Sequence, residues 1–189
     1  MVTCAIADEA ATETIAALIT AARERADKPT LLLAHGRMAL PALRGVHHPN
    51  LLPAPDFVLR DTENLQHAMQ DYRDSVTLVN FWASWCPPCV EKIPSMNRLA
   101  ARYAPADFRI VSINFRESSQ HIRDFMRQVD VGFPVLIDAD GLVSQDWRVF
   151  AFPSSFLVDR AGCVRHSVNS AIAWDEPAII ELIDGLVAE

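Results

Sequence analysis

The stretch Val76-Thr77-Leu78-Val79-Asn80-Phe81-Trp82-Ala83-Ser84-Trp85-Cys86-Pro87-Pro88-Cys89 decides the fold of this chain. Its first half is an apolar run rich in β-branched residues, which is typical of a strand buried on both faces. Its second half ends in two cysteines with the spacing Cys-x-x-Cys. Apolar residues then recur at helical spacing, at Val90, Ile93, Met96, Leu99 and Ala100. The pattern predicts a strand, a turn, a pair of cysteines and a helix, in that order.

This order suggests a chemistry for the cysteines. Cys86 stands just ahead of the predicted helix, where unpaired N–H groups and the positive end of the dipole favour an anion. Such a position lowers the pKa of a thiol from about 8.5 to roughly 3.5–7.5. We therefore expect Cys86 to form the mixed disulfide with a substrate, and Cys89, one helical turn later, to resolve it. Pro87 and Pro88 fix φ in the first turn, where no N–H is needed, and should keep the turn rigid.

Two other uses of the cysteine pair fit the sequence less well. A structural zinc site requires four ligands. Cys4 and Cys163 form no second Cys-x-x-Cys, and no pair of histidines has the spacing of zinc ligands. A purely structural disulfide is also disfavoured, because closing so short a loop stabilises little. The sequence therefore favours redox chemistry.

The segment from Asn80 to Cys89 resembles the active site of the thioredoxin superfamily, and within it the TlpA/ResA-type thiol-disulfide oxidoreductases of the bacterial cell envelope. The resemblance runs from about Leu52 to the C-terminus. It implies an α/β fold, namely a thioredoxin-like mixed-sheet sandwich with a central helix-strand insertion. It also implies that the redox-active disulfide Cys86–Cys89 works without a bound cofactor or metal.

Length and charge fit one such domain with an appendage. The chain has 189 residues, half of them hydrophobic, and a net charge of −7, which argues against nucleic acid and anionic membranes as partners. No apolar run approaches the ~20 residues of a membrane span. The first residues lack a basic segment followed by an apolar one, so either the protein is cytoplasmic or the sequence begins after a removed export signal or anchor.

The sequence predicts an N-terminal extension over residues 1–50 and a thioredoxin-like domain over 51–189. The extension contains an amphipathic helix over residues 10–26, whose role the sequence does not indicate. The predicted elements of the domain are a hairpin between Pro53 and Tyr72, strands at 108–115 and 132–138, helices at about 119–129 and 142–149, a β-hairpin over 150–168 and a last helix capped by Asp175. Pro94 should kink the helix after the cysteines.

The resemblance also assigns neighbours to the cysteine pair. Phe152-Pro153 stands where the superfamily keeps a cis-proline facing the dithiol, which implies that Pro153 prevents metal capture and that the backbone of Phe152 pairs with an extended substrate. Trp85 is expected to cover the thiols from the exposed side, and Trp82 to pack beneath them.

Two positions bear on proton transfer at the cysteines: Asn80, which differs from thioredoxin but is common in the subgroup, and Lys92, which departs from the subgroup's pattern. Asn80 occupies the place where thioredoxin has a buried aspartate that accepts the proton of the inner cysteine, and an amide cannot do this. The subgroup usually has a glutamate three residues after the inner cysteine, but here Lys92 stands there with Glu91 before it. An ammonium group at Lys92 would favour the thiolate and make the couple more oxidising. Alternatively Glu91 acts as the acid/base, or water deprotonates Cys89.

The remaining cysteines, Cys4 and Cys163, are interpreted as small apolar or incidental residues. The resemblance implies that the protein reduces protein disulfides in the periplasm or cell envelope, including those of apocytochrome c before haem attachment, with electrons from a membrane thiol reductase. A peroxidase is the first alternative, because peroxiredoxins share the segment Pro55-Asp56-Phe57 near the start of the domain. A binding module that kept the fold but lost turnover is the second.

Overall fold

A computed structural model describes Cys4 and residues 52–189 of the protein. The predicted amphipathic helix over residues 10–26 lies outside these described residues. The boundary between an extension and a domain near residue 50 therefore stays a prediction.

The described part is built on one mixed sheet with the strand order β2-β1-β5-β4-β3-β6-β7. The three inner strands β3, β4 and β5 run parallel, whereas every other neighbouring pair is antiparallel. The strands are β1 (Val58–Asp61), β2 (Gln66–Ala68), β3 (Val76–Trp82), β4 (Phe108–Phe115), β5 (Val135–Asp138), β6 (Ser154–Val158) and β7 (Val164–Val168). Every residue of β3 is buried, as its apolar run predicts for a central strand with both faces covered.

Helices cover both faces of this sheet. They are α1 (Pro87–Glu91), α2 (Ile93–Arg102), α3 (Ser119–Met126), α4 (Leu142–Asp146) and α5 (Pro177–Ala188), with a 3-10 turn at Met69–Tyr72. Apolar residues of α2, α3 and α5 form the core on one face with alternate residues of β3, whereas α4 and the 3-10 turn pack on the other. No helix in the described ranges has the length and apolarity needed to cross a membrane.

The observed elements agree with the predicted ones in type and order. The inserted helix and strand, α3 and β5, confirm the expected central insertion, and β5 extends the sheet beside β4. The helix after the cysteines is interrupted at Lys92, two residues before Pro94. The prediction of Asp175 as the cap of the last helix is wrong: Glu176 holds that position, and Asp175 instead accepts a hydrogen bond from Arg98.

A disulfide joins Cys4 to Cys163, with Cα atoms 5.8 Å apart. Cys163 is buried beside β7, where its backbone bridges Pro53. The interpretation of these two cysteines as incidental is therefore corrected. It failed because 159 residues separate them and neither shows a spacing that marks a pair. The bond ties Cys4 to the hairpin formed by β6 and β7.

Loss of this bond should destabilise the protein, because it closes a very long loop in the unfolded chain. We expect Cys4→Ser to lower the free energy of unfolding by about 2–4 kcal/mol. Denaturant titration of the oxidised protein measures the change, and Cys163→Ala, which removes the same bond from its buried end, is the matched variant. If both variants unfolded at the same denaturant concentration as the native protein, the disulfide would not stabilise the fold.

Candidate active site

The two cysteines of the Cys-x-x-Cys segment lie where β3 gives way to α1. Cys86 is the N-cap residue of α1, and Pro87 and Pro88 are its first two residues, as predicted. Cys86 and Cys89 are bonded to each other, and their Cα atoms are 5.3 Å apart. Cys86 is 5% exposed and Cys89 only 1%. The pair can therefore hold two electrons as thiols and release them as a disulfide, with Cys86 on the more accessible side.

Aromatic side chains surround the more accessible side of this pair. Trp85 is 62% exposed and meets the ring of Phe152 edge-on, with the centroids 5.9 Å apart. Phe115 packs on the other side of Phe152 at 5.0 Å. Phe150, which the sequence analysis did not single out, is 91% exposed on the same loop as Phe152. Trp82, by contrast, is buried against Phe125, as expected for the tryptophan beneath the site.

The loop that carries Phe152 leads directly into β6. The bond between Phe152 and Pro153 is cis, which confirms the cis-proline expected at this place. Ser154 follows, and its hydroxyl donates to the carbonyl oxygen of Ala151 at 2.6 Å while accepting from the amide of Asn169 at 2.7 Å. These bonds hold the loop against the end of the sheet.

A chain of three polar side chains lies buried between the helices and the sheet. Asn80 on β3 and Ser155 on β6 are directly paired in the sheet. The amine of Lys92 donates to the hydroxyl of Ser155 at 3.0 Å, and that hydroxyl donates to Oδ1 of Asn80 at 3.2 Å. All three residues are buried, and Lys92 is only 3% exposed.

Burial changes the expected state of Lys92. Removing the amine from water disfavours the ammonium form and lowers the pKa of Lys92 to about 7. Burial therefore disfavours an ammonium group at Lys92, and the effect of such a charge on the dithiol stays a prediction. Glu91, the proposed acid/base, is exposed on the opposite side of the helix, so the structure does not bring its carboxylate to the cysteines.

A second polar cluster holds the loop before Cys86, and the sequence analysis missed it. The carboxylate of Glu117 accepts the backbone N–H of Ser84 at 2.7 Å, the hydroxyl of Ser84 at 2.6 Å and the amide of Asn114 at 2.7 Å. His121 lies 2.9 Å from the hydroxyl of Ser84. The signal was available, because β3 and β4 are parallel and side chains that follow their carboxyl ends meet at one edge.

Within Cys4 and residues 52–189, no group of three or more histidine, cysteine or acidic residues is arranged to hold a metal ion.

The sheet, the helices and the paired cysteines define a thioredoxin-like thiol-disulfide oxidoreductase. The chain belongs to the AhpC/TSA family, whose model matches residues 52–167. It is 32% identical over 123 residues to the thiol-disulfide oxidoreductase ResA of Geobacillus thermodenitrificans, covering 65% of this chain and 71% of that protein. It is 34% identical over 115 residues to the thioredoxin-like protein YneN of Bacillus subtilis, covering 59% and 66%.

Solved structures agree with this assignment. A protein from Chlorobium tepidum, assigned as thiol:disulfide interchange protein DsbE, superposes with a TM-score of 0.67 at 31% identity, over 72% of this chain and 96% of that one. The exposed lipoprotein thioredoxin of Streptococcus pneumoniae superposes with a TM-score of 0.62 over 70% and 100% of the two chains. Its identity is 22%, so it supports the fold alone. The resemblance to ResA-type proteins stated from the sequence is confirmed.

Proposed function

We propose that this protein reduces disulfide bonds in other proteins through its Cys86–Cys89 dithiol. The observation that carries the proposal is the bonded pair at the start of α1, with Cys86 the more exposed residue of the two. The thiolate of Cys86 attacks one sulfur of the substrate disulfide and displaces the other as a thiolate. Cys89 then attacks Cys86, which releases the second substrate sulfur and leaves the Cys86–Cys89 disulfide.

The surface beside Cys86 suits an extended polypeptide. The exposed rings of Trp85 and Phe150 offer apolar contact, and the backbone of Phe152, in the loop just before β6, can pair with a strand-like segment. Pro153 borders the same place and, by the resemblance, keeps metal ions from the two thiols. No bound cofactor is needed, because the electrons are held as the two thiols.

We place the protein in the cell envelope, where cytochrome c maturation is the process that the resemblance suggests. The ResA-type relatives support a disulfide-exchange role, and the Cys4–Cys163 bond supports an oxidising compartment, since stable disulfides are rare in the cytosol. Electrons would then reach Cys86–Cys89 from a membrane thiol reductase, because an oxidising compartment offers no soluble pool of reduced thiols.

Insulin reduction in the presence of dithiothreitol tests this function. We expect the protein to accelerate precipitation of the insulin B chain, and we expect a midpoint potential near −270 mV rather than −120 mV when it is equilibrated with glutathione. Hydrogen peroxide offered to the reduced protein is the matched alternative substrate. Faster oxidation by peroxide than by insulin would favour the peroxidase, and no turnover of either would favour a binding module.

A further inference from the structure

Cys89 needs a neighbouring group that can take its proton. Cys89 must lose its proton before it can attack the mixed disulfide, because the thiolate is the nucleophile. The amide of Asn80 cannot accept a proton, and Glu91 is exposed on the far side of the helix. Bulk water reaches Cys89 poorly, since that residue is 1% exposed.

Lys92 lies on the side of the helix that faces the sheet, as Cys89 does. The two residues are three apart, and the backbone of Lys92 still has helical angles (φ −85°, ψ −13°). Side chains at this spacing are neighbours on a helix surface, with Cβ atoms about 5–6 Å apart. Both residues are buried, and the amine of Lys92 reaches the sheet at Ser155.

The direction of the hydrogen bonds leaves the amine's lone pair available. The hydroxyl proton of Ser155 goes to Oδ1 of Asn80, so Ser155 can only accept from Lys92. The amine therefore spends one N–H on Ser155 and keeps its lone pair for another proton. In the described part of the chain no carboxylate forms an ion pair with Lys92, and burial lowers its pKa to about 7. A neutral amine is thus well populated at neutral pH.

We propose that Lys92, held by Ser155 and Asn80, is the proton acceptor for Cys89 in the step that releases the substrate; this rests on the function proposed above. The thiol of Cys89 passes its proton to the amine, which becomes an ammonium. The new thiolate attacks the sulfur of Cys86, the bond from Cys86 to the substrate breaks, and the substrate sulfur leaves as a thiolate and takes up a proton. Two electrons have then passed from the dithiol to the substrate disulfide.

The experiment has to distinguish the titration of Lys92 from that of other titratable groups nearby. β3 and β6 carry none. His166 on β7 pairs with Leu157 in the sheet, so it lies on the same face as Ser155. The other charged residues on the surrounding elements are Glu91 on α1, Arg98 and Arg102 on α2, Arg165 on β7, Asp175 and Glu176 before α5, and Glu181 and Asp184 on α5. A His166→Gln variant therefore accompanies the Lys92 variants.

Reduced protein mixed with Ellman's disulfide reports the two steps separately. Attack by Cys86 releases a first thionitrobenzoate and leaves a mixed disulfide on Cys86. Resolution by Cys89 releases a second. The first phase tests the proposed function, and the second tests Lys92, so a failure of either is distinguishable from a failure of the other.

We expect the second phase of the native protein to accelerate as the pH rises through about 7 and then level off. Lys92→Met should slow that phase at least about tenfold at pH 7 and make it keep rising towards the pKa of an ordinary thiol, with the first phase retained. Lys92→Arg keeps the positive charge but cannot accept a proton, so it should be equally slow. His166→Gln should retain the native pH profile.

Two results would overturn the proposal: a native second phase in Lys92→Met, or full rescue by Lys92→Arg, which would make the residue a fixed cation. A direct titration supports the kinetics, because the chain contains only two lysines, Lys28 and Lys92. Side-chain NMR of lysine-labelled, reduced protein should show one amine titrating near 7. The signal that titrates near 7 should vanish in Lys92→Met, and two ordinary titrations would also refute the proposal.

Discussion

Cys86→Ser is expected to abolish insulin reduction, lowering the rate by about a thousandfold or more. A serine hydroxyl is not ionised at neutral pH and is a far weaker nucleophile towards a disulfide than a thiolate. The remaining thiol, Cys89, is 1% exposed and cannot reach a protein disulfide in its place. The initial rate of insulin precipitation measures the loss, and residual activity above a few per cent would contradict the assignment of Cys86.

Cys89→Ser separates attack from resolution. This variant keeps the proposed nucleophile but lacks the group that releases the substrate, so it should accumulate a mixed disulfide on Cys86 that mass spectrometry detects. The matched control is Cys4→Ser with Cys163→Ala, which removes the other two cysteines and should leave the insulin rate at the native level. If the mixed disulfide formed on Cys89 in Cys86→Ser instead, the roles of the two cysteines would be reversed.

The sequence predicts most of the scaffold of this site because each element carries a strong local signal. The apolar run before Trp82 could be buried on both faces only as a central strand, and β3 is fully buried. The two prolines after Cys86 mark a helix start, and they are the first two residues of α1. The family pattern around Phe152-Pro153 identified the cis bond, which periodicity alone would have missed.

Contacts between distant segments do not follow from the local pattern of either segment alone. The Cys4–Cys163 bond spans 159 residues, and the spacing of the two cysteines in the sequence does not predict it. Glu117 reaches the loop at Ser84 because two parallel strands end side by side. For Lys92 and Glu91 the missed feature was direction: Lys92 is buried on the side of the helix that faces the sheet, whereas Glu91 is exposed to solvent.

A stability measurement tests the buried state of Lys92 independently of catalysis. Its pKa in the folded protein, about 7, lies below the ordinary value of 10.5 that it regains on unfolding. Between these two values the unfolded chain binds more protons than the folded one, so the free energy of unfolding should rise with pH. The penalty for burying the amine is complete below about pH 7 and fades towards pH 10.5. The difference between the two pKa values corresponds to a change of about 5 kcal/mol in the free energy of unfolding.

Lys92→Met should therefore stabilise the oxidised protein by several kcal/mol at pH 7 and remove most of the rise in stability between pH 7 and about 9.5. Methionine has a similar length and carries no titratable group. The substitution removes one hydrogen bond, the one that the hydroxyl of Ser155 accepts from the amine of Lys92. Denaturant titrations of the oxidised form measure both effects, because the disulfide keeps Cys86 and Cys89 from titrating. Arg98→Met, which removes an exposed cation from the neighbouring helix, should keep the native rise of the unfolding free energy with pH.

If the free energy of unfolding of the native protein were flat or fell between pH 7 and about 9.5, Lys92 would have to stay charged in the folded protein. A variant that gains stability while its resolving step slows would show that the buried amine is retained for proton transfer at the expense of stability.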